Sequence, residues 1–178
     1  MNFQQLLHRY RQGDRDFSSS SLHGVSLPKT YLVGINCRRC DLSSADFSFS
    51  DLSRADFVGA NLTDAELVVT NLSGANLQCT NFIGADLREA RVVGANLTGA
   101  DLRAADLSEA DLRGADLTDA KLSGANLHNA DLTGACIDTL DLEHAEYDGA
   151  ILNNLVTATP NAANTAGSVD WVSWGAHT

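Results

Sequence analysis

From Phe17 to Leu152 an apolar residue recurs at every fifth position, 28 times without a break, and 24 of these are Leu or Phe. The exceptions are Cys37, Val92, Ile137 and Tyr147. A period of five fits neither an α-helix at about 3.6 residues per turn nor a strand at about 2. It calls for short extended pieces separated by regular corners, and few architectures meet that demand. Two residues before each beat sits a small residue, Ala in 18 of the 28 units. Between them lies a polar residue, usually Asp or Asn. The unit is seen in Ala115-Asp116-Leu117-Thr118-Asp119 and Ala125-Asn126-Leu127-His128-Asn129.

Alternation along an extended stretch puts the small residue and the Leu on one side and Asp or Asn on the other. The next two residues must break the strand. Every Gly between positions 14 and 152 falls two after a beat, at 24, 34, 59, 74, 84, 94, 99, 114, 124, 134 and 149. That is the second central position of a type II β-turn, which requires φ > 0. Pro28 falls one after a beat, at the first central position, where its fixed φ is already suitable. Five residues therefore make one side and one corner. Four corners close a coil of 20 residues, so the beat predicts seven stacked coils. Parallel stacking at about 4.8 Å per coil predicts a solenoid roughly 34 Å long. The expected class is all-β, a quadrilateral parallel β-helix.

The repeat A-[DN]-L-[ST]-x, in register over about three quarters of the chain, resembles that of the pentapeptide repeat family. The resemblance implies a right-handed sense for the β-helix. The Ala-Asp/Asn-Leu-rich form preceded by a short helix looks most like the cyanobacterial members. The chain lacks the long inserted loops of the quinolone-resistance members. For function, the resemblance implies a rigid scaffold or regulatory protein that docks another protein. The alternative it implies is a DNA mimic that protects gyrase, a type II topoisomerase.

The ends depart from the beat. In residues 1–16, Phe3, Leu6, Leu7 and Tyr10 follow helical spacing, Asn2 and Gln5 form a capping-box pattern, and Gly13 is a natural stop. A helical cap over the first coil is expected, because an open solenoid end exposes core and unpaired strand edges. Residues 17–152 form the solenoid and 153–178 a C-terminal cap or tail. The tail holds both tryptophans, Trp171 and Trp174. They are expected either to cover the last coil or to make a homodimer contact, since aromatic anchors favour interfaces.

Composition excludes several functions. The net charge is −11, which argues against direct binding to nucleic acid or an anionic membrane. Mimicry of DNA needs one charge per about 1.7 Å, and −11 over roughly 34 Å gives only about half that density. No apolar run approaches about 18 residues, and no signal-peptide core precedes His8, Arg9 and Arg11. A cytoplasmic address is expected.

No catalytic constellation emerges. His8, His23, His128, His144 and His177 lack metal-ligand spacing, and the carboxylates are expected on flat walls with no cleft to desolvate them. Neither enzyme activity nor a cofactor or metal is expected. Cys37-Arg38-Arg39-Cys40 has the C-x-x-C form, but Cys37 is a beat and Cys40 the small residue of the next unit. Both are expected buried and inert, whereas Cys79 and Cys136 fall on the outside.

Binding is expected in departures from the repeat. Folding at period 20 places Ser26, Asp46, Glu66, Asp86, Asp106, Asn126 and Glu146 in one column. Like charges about 4.8 Å apart repel by roughly 0.9 kcal/mol in water, so such a stripe suits a basic protein partner. Phe49, Val58, Val68, Val69, Ile83 and Val93 occupy outer positions where Ser, Thr or Gly would be routine. The candidate interaction residues are Asp46, Glu66, Asp86, Asp106, Glu146, Val68 and Val69.

Overall fold

Each beat residue opens a β-turn. In most units the N–H three residues on donates back to its carbonyl, from Ser20 to Phe17 at 3.2 Å and from Ala45 to Leu42 at 3.0 Å, whereas the Thr30 N–H donates to Ser50 Oγ at 2.9 Å. The computed structural model describes residues 1–137, 142 and 144–157. Within them the residue two after each beat takes positive φ at every corner from Ser19 to Gly134, between 53° and 72°. This is the left-handed region expected for the second central position of the turn. Glycine fills it without strain, yet fourteen of these corners, and Asn154 beyond them, carry another residue. At Gly149 a side chain would in addition strike the Asn129 amide.

The corners return the chain onto itself at a fixed offset of 20. Asp16 bridges Asn36, Ser21 bridges Asp41, and the parallel series continues to Cys136 with Val156. Each unit is tied to the next coil by three backbone bonds. At the first, Phe17 N–H donates to Asn36 O at 2.8 Å, Asn36 N–H donates to Arg15 O at 2.8 Å, and Ser19 N–H donates to Arg38 O at 2.8 Å. Every coil thus satisfies the backbone of its neighbour, as a buried backbone must be satisfied. Four bridges per coil define four faces, named here by their first core residue: Phe17, Leu22, Leu27 and Leu32.

The beat residues fill the axis. From Phe17 to Ile137 each is at most 2% exposed. Ala lines the interior beside them. Where Ser50, Thr70 and Thr80 replace it, their hydroxyls stay buried and donate to the carbonyls of Leu27, Phe47 and Phe57, each at 2.8 Å. These side-chain bonds satisfy the hydroxyls where a bare one would cost stability.

Asp and Asn before the beat do more than face solvent, which is all the sequence suggested for them. Their Oδ1 accepts the backbone N–H two residues on: Asp46 from Ser48 at 2.9 Å, Asp106 from Ser108 at 3.0 Å, Asp116 from Thr118 at 3.0 Å. This Asx turn fastens the start of each corner, and it explains why that position takes a short carboxylate or amide. Glu66 and Glu146 stand at the same position and make no such bond among the described residues.

At the N-terminus, helix α1 (Phe3–Arg11) has the expected capping box between Asn2 and Gln5 and ends on Gln12. Leu6 is buried against the core, and Tyr10 donates its hydroxyl to Val33 O at 2.8 Å. Phe3, on the expected apolar stripe, is exposed instead. At the other end the ladder runs one bridge past the last beat, to Val156. Tyr147, expected on the axis, is 43% exposed, and Ile151 and Val156 are exposed too. The axis has a neighbour on both sides only where coils continue. Trp171 and Trp174 lie outside the described residues.

Asp116→Ala should lower unfolding free energy by about 1–2 kcal/mol, because it deletes the Asx acceptor of a half-buried turn. Asp116→Asn retains that acceptor and should cost less than about 0.5 kcal/mol by the same reasoning. Urea unfolding of the two variants checks the ordering.

Candidate interaction face

The Leu27 face carries the predicted acidic column as one continuous ladder. Ser26, Asp46, Glu66, Asp86, Asp106, Asn126 and Glu146 bridge in succession. The register adds acids that the column alone did not show. Glu89 and Glu109 stand at the corners of this face, and Asp148 beside Tyr147. In all it bears Asp46, Glu66, Asp86, Glu89, Asp106, Glu109, Glu146 and Asp148, against Lys29 and Arg88 as its only cations. On the Leu32 face Asp51, Asp111 and Asp131 are balanced by Arg54, Arg91 and Arg113. The charge is therefore concentrated on one face.

Its carboxylates are of two kinds. Asp46, Asp86 and Asp106 are half-buried and hold their own turns, and Asp86 is also gripped by Arg88 through bonds of 2.8 and 2.7 Å. The Arg88 guanidinium, with the Arg88 backbone N–H, holds the Asp86 carboxyl below its ordinary value of 3.8. Asn126 donates to Asp106 at 3.1 Å and Ser26 to Asp46 at 3.3 Å. Glu66, Glu89 and Glu109 are exposed and form no ion pair among the described residues. They are the charges free to meet a partner.

At its C-terminal end the face opens into a shallow groove of about 660 Å³, lined by Ser108, Glu109, Asn126, His128, Glu146, Tyr147 and Asp148 among others. The expectation of uniformly flat walls is corrected here. Among the described residues no group of three His, Cys, Asp or Glu is placed to hold a metal ion. No described helix is long and apolar enough to cross a membrane.

The outer apolar residues separate once the register is known. Val58 lies on the Phe17 face, Ile83 on the Leu22 face and Val93 on the Leu32 face, all half-buried. Phe49, Val68 and Val69 alone share the acidic face and its edge. Val68 is half-buried, while Phe49 and Val69 are exposed. The C-x-x-C pair is structural, as expected: Cys37 and Cys40 are buried, and the Cys40 thiol lies 3.0 Å from Phe17 O. The neighbouring thiol and burial push Cys37 well above its usual range. Cys79 is exposed and Cys136 half-exposed.

Stacked twenty-residue coils with Leu on the axis, Asx-fastened corners and a polarised outer face define a parallel-coil repeat protein. The Pentapeptide repeats family model matches in eight copies, over residues 20–57, 55–94, 66–103 and 95–134. The chain belongs to the pentapeptide repeat family. Among solved structures, the pentapeptide repeat protein Rfr23 from the cyanobacterium Cyanothece 51142 is 24% identical, with 86% of this chain and 98% of that one covered and a TM-score of 0.56. QnrB1, a plasmid-mediated fluoroquinolone resistance protein, is 18% identical in its trypsin-treated form, with 81% and 86% covered and a TM-score of 0.58. At these identities both are likenesses of fold. No curated protein matches the chain in sequence.

Two measurements follow. With a disulfide-exchange reagent, Cys79 should react fastest in the native protein and Cys37 and Cys40 only on unfolding; simultaneous reaction of all four thiols would contradict the buried pair. In an NMR titration, Asp86, Asp101 and Asp111, each gripped by the Arg two residues on, should titrate below 3.8. Because the folded values are depressed, the stability these pairs lend is full above the ordinary carboxylate value and lost as pH falls through the folded one.

Proposed function

We propose that this protein is a rigid, non-enzymatic, right-handed solenoid scaffold whose Leu27 face docks a basic protein. Pentapeptide repeat proteins generally act as scaffolds or interaction proteins, which supports the class. The observation that carries the choice of face is the separation of roles among its acids. The aspartates at 46, 86 and 106 are accounted for by turns, but Glu66, Glu89 and Glu109 hold no turn and no ion pair among the described residues. No ion pair among the described residues relieves their repulsion at coil spacing. A partner rich in Lys or Arg relieves it, speeds encounter and fixes register. The face lacks a desolvated catalytic pair, and its one groove is shallow and open. The tail tryptophans at 171 and 174 serve, on this reading, to cover the last coil or join two copies. QnrB1 is named for fluoroquinolone resistance. Gyrase protection by this chain is disfavoured by its low line charge.

The test is charge reversal at the free glutamates. Glu66→Lys, Glu89→Lys and Glu109→Lys together leave every Asx turn intact, unlike reversal at Asp86 or Asp106. Partners captured by the wild type from host extract should be lost by the triple variant and eluted by a few hundred millimolar salt, as expected for screened charge. Capture indifferent to both removes the face from consideration. A supercoiling assay with a fluoroquinolone should show no protection of gyrase; clear protection establishes the other reading.

A further inference from the structure

One edge of the acidic face violates local physics twice. Along the corner column Lys29, Phe49, Val69, Glu89 and Glu109, every residue is held at positive φ, between 56° and 63°. Among the fifteen non-glycine corner residues described, Phe49 is the one aromatic and Val69 the one β-branched residue. A β-branched or bulky side chain is a conformational outlier at such φ, where Gly, Asn and Asp are the easy choices. Both side chains also face water: Phe49 is 55% and Val69 39% exposed. Neither rescues packing, because elsewhere among the described corners the same role is filled by Gly, Ala, Cys or a polar residue. Strain and apolar exposure at two adjacent rungs have no explanation within the fold.

We propose that this edge is the docking site for a basic amphipathic α-helix lying along the solenoid axis. The inference rests on the reading of the Leu27 face as a protein-docking surface and names the class of partner. The occupant follows from spacing and charge. Corner residues repeat at about 4.8 Å along the stack. A helix presents one face at about 5.4 Å per turn, so three intervals differ by only about 2 Å, within side-chain reach. An extended peptide presents one face at about 6.6 Å, and over three intervals it drifts about 5 Å out of step. The rungs read apolar, apolar, acidic, acidic from Phe49 to Glu109. They match a helix with apolar residues on two successive turns and Lys or Arg on the next two.

The surrounding charges set its direction. Lys29 stands one rung above Phe49, with its ammonium 5.7 Å from the ring centroid, and repels the basic end. Arg88 is occupied by Asp86, and Arg91 lies beside Asp111 on the adjoining face. Glu89 and Glu109 are thereby left free, with Glu66 flanking Val69. The basic end of the helix lies toward the C-terminal coils.

The experiment uses a phage library of designed 18-residue helices selected on the full chain, followed by fluorescence anisotropy with the enriched peptides. The expected winners carry two apolar residues three or four apart and Lys or Arg one and two turns further. Their affinity should fall at least tenfold for Phe49→Gly with Val69→Gly, and at least tenfold for Glu89→Lys with Glu109→Lys. Glycine relieves the positive-φ strain, so the first variant should melt no lower than the wild type. Phe49→Asn with Val69→Asn, polar and tolerant of the same φ, should repeat the loss if glycine softens the corner. No enrichment, enrichment of acidic or wholly apolar helices, or equal affinity for wild type and the Gly and Asn variants would overturn the proposal. A partner bound elsewhere and insensitive to Phe49 and Val69 overturns it too while leaving the scaffold reading standing. Loss of all capture by the full chain removes both.

Discussion

Everything in this structure depends on the corner. Once in five residues the chain must place a residue at positive φ, close a turn onto the preceding beat and send its own N–H to the next coil. A single corner is weak: it fixes few dihedrals and buries one side chain. Twenty-four in succession at a constant offset convert local turns into a continuous backbone ladder, and only then does a Leu axis exist to be buried. Stability is therefore shared between neighbouring coils, and the ends are the weak points. The Leu6-anchored helix covers the first coil, while Tyr147 in the last described coil is exposed.

The corner also explains the chemistry of the surface. The residue before the beat is usually Asp or Asn because a short acceptor can reach the N–H that starts the turn. Much of the negative charge is thus a by-product of construction. That separates two populations which look identical in a count of charge. Aspartate at 46, 86 or 106 is needed locally, whereas glutamate at 66, 89 or 109 is not. The same reasoning separates ordinary corner residues from Phe49 and Val69, which oppose the local preference. Function on a surface this regular is legible only as departure from a known local demand.

The axis, the corners, the coil of twenty and the helical cap were all legible in sequence, since Leu at every fifth position and Gly two later are direct statements about burial and φ. The burial of Cys37 and Cys40 followed from the same frame. Other features were hidden for definable reasons. The D-x-S/T offset was visible, but without the turn geometry Asp read as mere solvation. Val58, Ile83 and Val93 were near each other in sequence, yet the register sends them to three different faces. Tyr147 kept the beat, but a beat residue is buried only if another coil covers it. The groove beside His128 arises at the end of the stack, which periodicity does not describe. Glu89 and Glu109 joined the acidic face only after corners were assigned to faces.

Amide hydrogen exchange tests the shared-ladder account most directly. Corner amides such as those of Ser44, Phe49, Val69 and Glu89 each donate to the next coil. They should be as protected as the strand amides beside them, with protection highest in the middle coils, equal on all four faces, and falling toward Tyr147 and Val156. Corner amides that exchange freely while the strand amides stay protected, or protection confined to particular faces, would contradict the claim that the corners bind coil to coil.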